Sequence, residues 1–313
     1  MPSHISRSLC YLRLPPTVHR WLSSLVKKMQ FNVVHVLAPP LHGLYGYREV
    51  LETVHSGLTA LGHDATLSEN VVDKTRTNII VGAQMLSEPD LRALPRATIV
   101  YNFEQMRGVG PGDLKPIVRT VAENFQVWEY SEANIPSWEK LNPARRTVHV
   151  PVGWAPILSR IGKSNPQDID VLIYGLPGPL RLEIFNALSH QGMKCVFVSG
   201  LYGSARDSLI SRSKLVLNIN LYDHARIFEI VRVSYLLANS KAVVADFQEG
   251  TFIEPGLDTA VAFSRPDRIG EACADLLNDD RARLQLEDRG REAMEKRNIV
   301  PILRAALEAS GLS

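Results

Sequence analysis

The chain has 313 residues, 45% of them hydrophobic and 22% charged, with 35 basic residues against 33 acidic ones. That length exceeds one ordinary domain and suits two, and no apolar run approaches the ~18 residues of a membrane span. The net +2 comes from one end: residues 1–30 hold Arg7, Arg13, Arg20, Lys27 and Lys28 and no acid, so the other 30 bases and 33 acids leave −3, a body unsuited to nucleic acid as its main partner.

Residues 1–28 form a basic extension outside the core pattern. Three readings stand open: a transit peptide, an over-called stretch before a natural start at Met29, or an amphipathic anchor. In the last, Trp21, Leu22, Leu25 and Val26 share a face beside Lys27 and Lys28 and give a peripheral membrane contact. Cys10, Cys195 and Cys273 are odd in number and far apart. They suggest neither a disulfide framework nor a zinc site, and point to a reducing, cytoplasmic compartment.

The body begins with a buried-strand pattern at 31–38, then the turn PPLHGLYG at 39–46. A helix follows over 47–61, with Val50, Leu51, Val54, Leu58 and Leu61 on one face. Gly62 ends it, and HDATL leads into an extended piece. Strand, glycine-containing loop, helix and strand open a Rossmann-like unit. Further strands are expected at 78–82, 97–103, 127–130 and 148–152, with a helix over 131–141. Residues 153–167 read as a linker after PVGWAP. The grammar then restarts: strand 170–174, loop 175–178, helix 180–190, strand 194–199, helix 205–213, strand 215–220. The expected units are an N-terminal domain at 29–152, a C-terminal domain at 168–285, and C-terminal helices at 286–313. Pro301 marks a break or a new helix start.

The stretch RIFEIVRVSYLLANSKAVVAD, residues 226–246, carries the strongest pattern. Ile227, Ile230, Val231, Val233, Leu236 and Leu237 predict an amphipathic helix. Asp223 is its expected N-cap, Asn239 its left-handed end, and a buried strand follows at 242–245. Arg226, Glu229 and Arg232 then line one side. Two readings stand: a solvated ion-pair ladder, or a diphosphate and ribose site at a helix N-terminus.

Four stretches resemble the GT-B glycosyltransferases: HGLYGYREVLETVHSGLTALGHDATL, HVPVGWAP, DVLIYGLPGPLRLEIFNAL and SKLVLNINLYDHARIFEIVRVSYLLANSKAVVAD. The resemblance runs over about residues 29–300, nearest the CgeB-like or family-1-like bacterial branch. It implies two Rossmann-like α/β domains with parallel sheets facing a cleft. It further implies a hexosyl-type transferase moving sugar from a nucleotide-sugar to a glycan, lipid-linked or protein acceptor, with no metal. Glu229 becomes the ribose contact, Gly175 lets backbone approach the donor, and Arg181 faces the diphosphate. Tyr222, Arg226 and Arg232 complete the nucleotide-sugar set. The pattern departs in one place. Many members carry an acid eight residues before the ribose contact, and Leu221 stands there, with Tyr222, Asp223 and His224 as its replacements. Retention or inversion stays open. A silent GT-B-fold binding module and a nucleotide-sugar epimerase are the alternatives.

His42, Tyr45, Glu104 and Glu132 sit at strand-to-helix loops, where open α/β sheets take ligands. Glu104 and His224 are the catalytic candidates, and Glu104 is the base if the enzyme inverts. The other reading of Glu104 is a helix cap or an ion pair with Arg107. His42 and Tyr45 are the acceptor candidates. His35 reads as a core histidine. Trp128, Tyr130, Trp138 and Trp154 read as packing, with Trp154 able to border the acceptor. Asp168-Ile169-Asp170 spells a metal-binding DxD but precedes a strand, so it reads as a solvated turn. The glycines of 108–112 read as a flexible turn near the cleft.

Overall fold

The computed structural model describes residues 28–37, 44–106, 116–222 and 224–312. Residues 1–27, His42, the 108–112 loop and Asp223 lie outside the described residues.

In the first half the order is β1 (Gln30–His35), α1 (Arg48–Ala60), β2 (Asp64–Glu69), β3 (Thr77–Val81), α2 (Glu88–Arg92), β4 (Ile99–Asn102), α3 (Pro116–Asn124), β5 (Gln126–Glu129), α4 (Ile135–Leu141) and β6 (Val148–His149). The second half runs β7 (Ile169–Tyr174), α5 (Pro179–His190), β8 (Cys195–Val198), α6 (Gly203–Arg212), β9 (Ser213–Asn218), α7 (Ile230–Ala238), β10 (Ala242–Asp246), β11 (Ala262–Ser264), α8 (Ile269–Asn278), α9 (Asp280–Glu295) and α10 (Ile299–Ala309).

Two parallel sheets result. The first has six strands in the order β2-β1-β3-β4-β5-β6, the second five in the order β11-β10-β9-β7-β8. Central strands such as β1, β9 and β10 are covered on both faces, which is why they read as near-continuous apolar runs. Strand order reverses between β1 and β3 and between β7 and β9. Crevices open beyond the carboxyl ends of strands at such switch points.

The last helix returns to the first half. On α1, a Cβ added to Gly57 would lie 2.7 Å from Leu303 and 2.8 Å from Ile299 of α10, so glycine is what lets the two helices approach. Trp128 Nε1 donates to Ser310 Oγ at 2.9 Å, and Trp154 pairs with the 297–299 backbone. One apolar cluster therefore runs through α1, β5, α7 and α10.

Three expectations change. The predicted helix across 226–238 begins only at Ile230. Residues 226–228 are extended instead: Phe252 N donates to Arg226 O at 2.7 Å and Phe228 N to Phe252 O at 3.0 Å. Glu229 holds the N-cap position, so Asp223 cannot cap this helix, and Arg226 is not on the same helical face as Glu229 and Arg232. Asn239 has φ −108°, and Ser240 takes the left-handed turn at φ +52°. The Asn239 side chain instead ties down the linker. Its Oδ1 accepts from Arg160 N and Ile161 N, and its Nδ2 donates to Leu158 O. Finally, Asp170 lies within β7, bonded to Lys214, while Asp168 holds Arg212 through both oxygens. Both sit at the amino end of β7, opposite the ligand-facing end. Pro301 falls in the first turn of α10, in keeping with a new helix start.

Candidate active site

The carboxyl ends of the two sheets enclose a cleft of about 320 Å³. On the second-half side, β7 ends at Tyr174 and the chain turns at Gly175, φ +127°, where a side chain would be strained. A Cβ there would lie 3.1 Å from Arg181 Nη1 and 3.3 Å from Arg232 Nη1, so two guanidinium groups flank this glycine. Arg181 projects from the first turn of α5 and is 1% exposed. Its Nε donates to Ile219 O at 2.8 Å and its Nη1 to Leu176 O at 2.7 Å, while Nη2 is buried without a partner among the described residues. Burial, and then the charge of Arg232, push its pKa down to about 10. The charges of Glu229 and Asp246 pull the other way, but neither carboxylate bonds the guanidinium, and an anion at Nη2 would offset the cost of burying it. The N-cap of α5, Gly178, makes no side-chain cap, so that helix end also favours negative charge. Arg232 Nη2 pairs with Glu229 Oε2 at 3.1 Å, and its guanidinium lies 5.7 Å from the Tyr174 ring centre.

The first-half wall carries acids held by neutral donors. Glu104 follows β4 and faces the cleft. Its Oε1 accepts from Tyr47 OH at 2.6 Å and Gln84 Nε2 at 2.7 Å. Burial, together with the Glu104 charge, raises the Tyr47 pKa well above its ordinary value, so Tyr47 stays a donor. Gln105 bridges the halves: Oε1 accepts from Arg226 N and Ile227 N, and Nε2 donates to Ile227 O. This clamp is a physical reason that residues 226–229 resist helix formation.

Deeper in the cleft the halves meet through charge. Glu49 on α1 accepts from Arg206 on α6 at 2.6 Å, both nearly buried. Burial alone would lower the Arg206 pKa, but Glu49 outweighs it and holds it above the usual value. Asp207 and the Tyr235 ring complete the surroundings of Arg206, and Arg160 joins Tyr235 OH to Glu52.

No family model matches the sequence. Among curated proteins, the uncharacterized proteins L138 and L140 of Acanthamoeba polyphaga mimivirus are similar. They are 25% identical over 125 residues and 22% over 168, covering 38% and 52% of this chain. The matches span only 14% and 54% of those proteins' own lengths. Solved structures align over nearly the whole chain. The Anabaena HepE protein in complex with UDP and glucose superposes with a TM-score of 0.60 at 10% identity, covering 90% of this chain and 99% of that one. Sucrose-phosphate synthase from Thermosynechococcus elongatus gives 0.58 at 12%, covering 91% and 99%. A glycosyltransferase of avilamycin A biosynthesis gives 0.56 at 14%, covering 90% and 96%. The fold is that of the GT-B glycosyltransferases.

Within this GT-B cleft the structure gathers Glu104, Gly175, Arg181, Tyr222, His224, Glu229 and Arg232. Tyr222 and His224 stack at 5.3 Å on its exposed rim. Arg226 is turned away, its Nη1 on Gln248 Oε1 and Ala225 O. Tyr45 packs on Tyr202, which lines the cleft, and on the edge of buried His35. Glu132 faces His149 instead. Glu104 caps no helix among the described residues, and the pairing with Arg107 lies outside them. Tyr130, read as packing, is a cleft residue, whereas Trp154 faces Ser159. Sequence reasoning missed Tyr47, Glu49, Gln105 and Arg206. Glu49 lies off the Val50, Leu51, Val54 and Leu58 stripe, and only the structure shows it buried. None of the four had a signal in the sequence.

Proposed function

We propose that the protein transfers a sugar from a nucleotide-sugar donor to a glycan, lipid-linked or protein acceptor, in the manner of the CgeB-like bacterial branch. The observation that carries this reading is Arg181: a buried guanidinium on the cleft, with Nη2 unpartnered among the described residues and Arg232 beside it across Gly175. A diphosphate supplies the missing anion. Neighbours of this fold are solved with UDP or UDP-glucose, and uridine diphosphate is the donor half in this reading.

In this reading the diphosphate lies against Gly175 and the N-terminus of α5. Glu229 accepts from a ribose hydroxyl, and Tyr222 and His224 flank the nucleotide at the rim. As the sugar–phosphate bond breaks, charge grows on the leaving diphosphate. Arg181 and Arg232 meet it in a site already oriented. Glu104, held by Tyr47 and Gln84, takes the proton of the acceptor hydroxyl, and His224 is the second acid–base candidate. No metal is part of the proposal. Leu221, at the position of the absent acid, favours one rival, a binding module without transfer.

The test is a thermal-shift panel of nucleotide sugars, followed by assay of UDP release with and without candidate acceptors. Acceptor-dependent release supports transfer. Binding without release indicates the module, conversion of the sugar without release the epimerase, and no binding of any nucleotide sinks the reading.

A further inference from the structure

Beneath the Glu104 loop lies a second carboxylate, Glu129, at the end of β5. It is 0% exposed, and its partners are all N–H donors. Oε1 accepts from Ser131 N and Asn134 Nδ2, both at 3.0 Å. Oε2 accepts from Trp138 Nε1 at 2.7 Å and Asn102 Nδ2 at 2.8 Å. No Lys, Arg or His is paired with it among the described residues. Burial pushes its pKa up to about 7, against the pull of those four hydrogen bonds.

The two amides are the informative part. Asn102 Nδ2 also donates to Glu104 O at 2.8 Å, and Asn134 Nδ2 to the same oxygen at 2.9 Å. Their oxygens face the other way: Asn102 Oδ1 accepts from Glu104 N at 3.2 Å and Asn134 Oδ1 from Met106 N at 2.8 Å. Each Asn is thus oriented by Glu129 and also holds the backbone of residues 104–106. That segment presents Glu104 to Tyr47 and Gln105 to the 226–227 backbone. A buried carboxylate is destabilising in itself, and packing alone does not require one here.

We infer that Glu129 is a positioning residue. Through Asn102 and Asn134 it fixes the loop that presents Glu104 to the cleft and Gln105 to the opposite half. This rests on the reading of Glu104 as an acid–base group.

The substitution is Glu129→Gln in the full chain. A glutamine there must aim an NH₂ at two other donors, so one amide bridge turns over. Hydrogen exchange at the Glu104 and Met106 amides should speed up roughly 5–30-fold, the range of a loss of one or two hydrogen bonds, with central β1 and β3 amides unchanged. Asn102→Ala, which removes the acceptor of Glu104 N outright but leaves the Asn134 bridge, should speed exchange at Glu104 at least as much and at Met106 less. Glu129→Asp, which keeps the charge but shortens its reach to both amides, should give a smaller change at both and covers the case in which Glu129→Gln does not fold. Turnover of UDP-glucose is then compared in Glu129→Gln, Glu104→Gln and the double variant. If Glu129 acts through Glu104, the double variant is no slower in kcat than Glu104→Gln, and UDP binds all of them with the wild-type Kd. Unchanged exchange at Glu104 and Met106 overturns the inference, and so does an additive double variant. A wild-type chain that turns over no donor defeats the acid–base role of Glu104, and exchange alone then decides whether Glu129 holds the loop.

Discussion

The two walls of the cleft handle charge in opposite ways. On the first-half wall Glu104 and Glu129 are matched by Tyr47, Gln84, Asn102, Asn134 and Trp138, so its acids are satisfied without any ligand. On the second-half wall Arg181 keeps a buried Nη2 that no described residue meets, and Glu229 answers Arg232. A wall finished by its own side chains is built to hold a geometry. A wall that keeps a buried donor open is built to receive an acceptor. The contrast predicts that nucleotides report on the second wall and leave the first untouched.

The largest effect is expected where the walls meet. Glu49→Ala leaves Arg206 buried beside Asp207 alone, and loss of one partner of a buried pair costs about 3–5 kcal/mol. Chemical denaturation should show this loss of stability, and a Cm within error of wild type would mean the pair does not join the halves. Next, Arg181→Ala should weaken UDP by about 1.5–3 kcal/mol, one charge-assisted contact, while uridine binding stays put. Calorimetry with both ligands checks this, and an equal loss for uridine would move Arg181 away from the phosphates.

A smaller effect belongs to Glu229→Gln. Donor affinity should fall by about 1–2 kcal/mol with little change in melting temperature, because a half-exposed pair contributes ~0–1 kcal/mol to folding. Unaltered UDP affinity would reduce Glu229 to a partner of Arg232. The smallest effect lies at the far end of β7. Arg212 holds the Asp168 carboxyl down to about 2. An acid with a depressed pKa adds stability above its unfolded value and loses it as pH falls through the folded one. Asp168→Asn should therefore melt like wild type at pH values below about 2 and bind UDP normally at neutral pH, with or without magnesium. A magnesium-dependent loss of UDP would restore the DxD reading.

Much of the architecture was legible because it is local. The stripe of Val50, Leu51, Val54 and Leu58 marks α1, and the apolar run ending at Tyr174 marks β7. Burial on both faces writes parallel strands into the sequence as continuous apolar residues. Glu104 stood out because it follows a strand end, and Gly175 and Arg181 stood out through the resemblance to the GT-B pattern. The 226–229 segment misled for a definite reason. Its apolar periodicity fits a helix, yet Gln105, more than a hundred residues away in sequence, and Phe252 take up its backbone groups first.

By itself, then, the sequence determined the alternation of strands and helices, the division into two β/α halves, and the positions where glycine or an acid follows a strand. These depend on neighbours within a turn or two. Tertiary structure alone decided that Glu49 meets Arg206, that Gln105 clamps residues 226 and 227, that Arg181 is left with an orphan donor, and that Glu129 lies under Glu104. Such pairings join side chains that share no periodicity, and the energy of a buried charge depends on every group around it, not on its place in the chain.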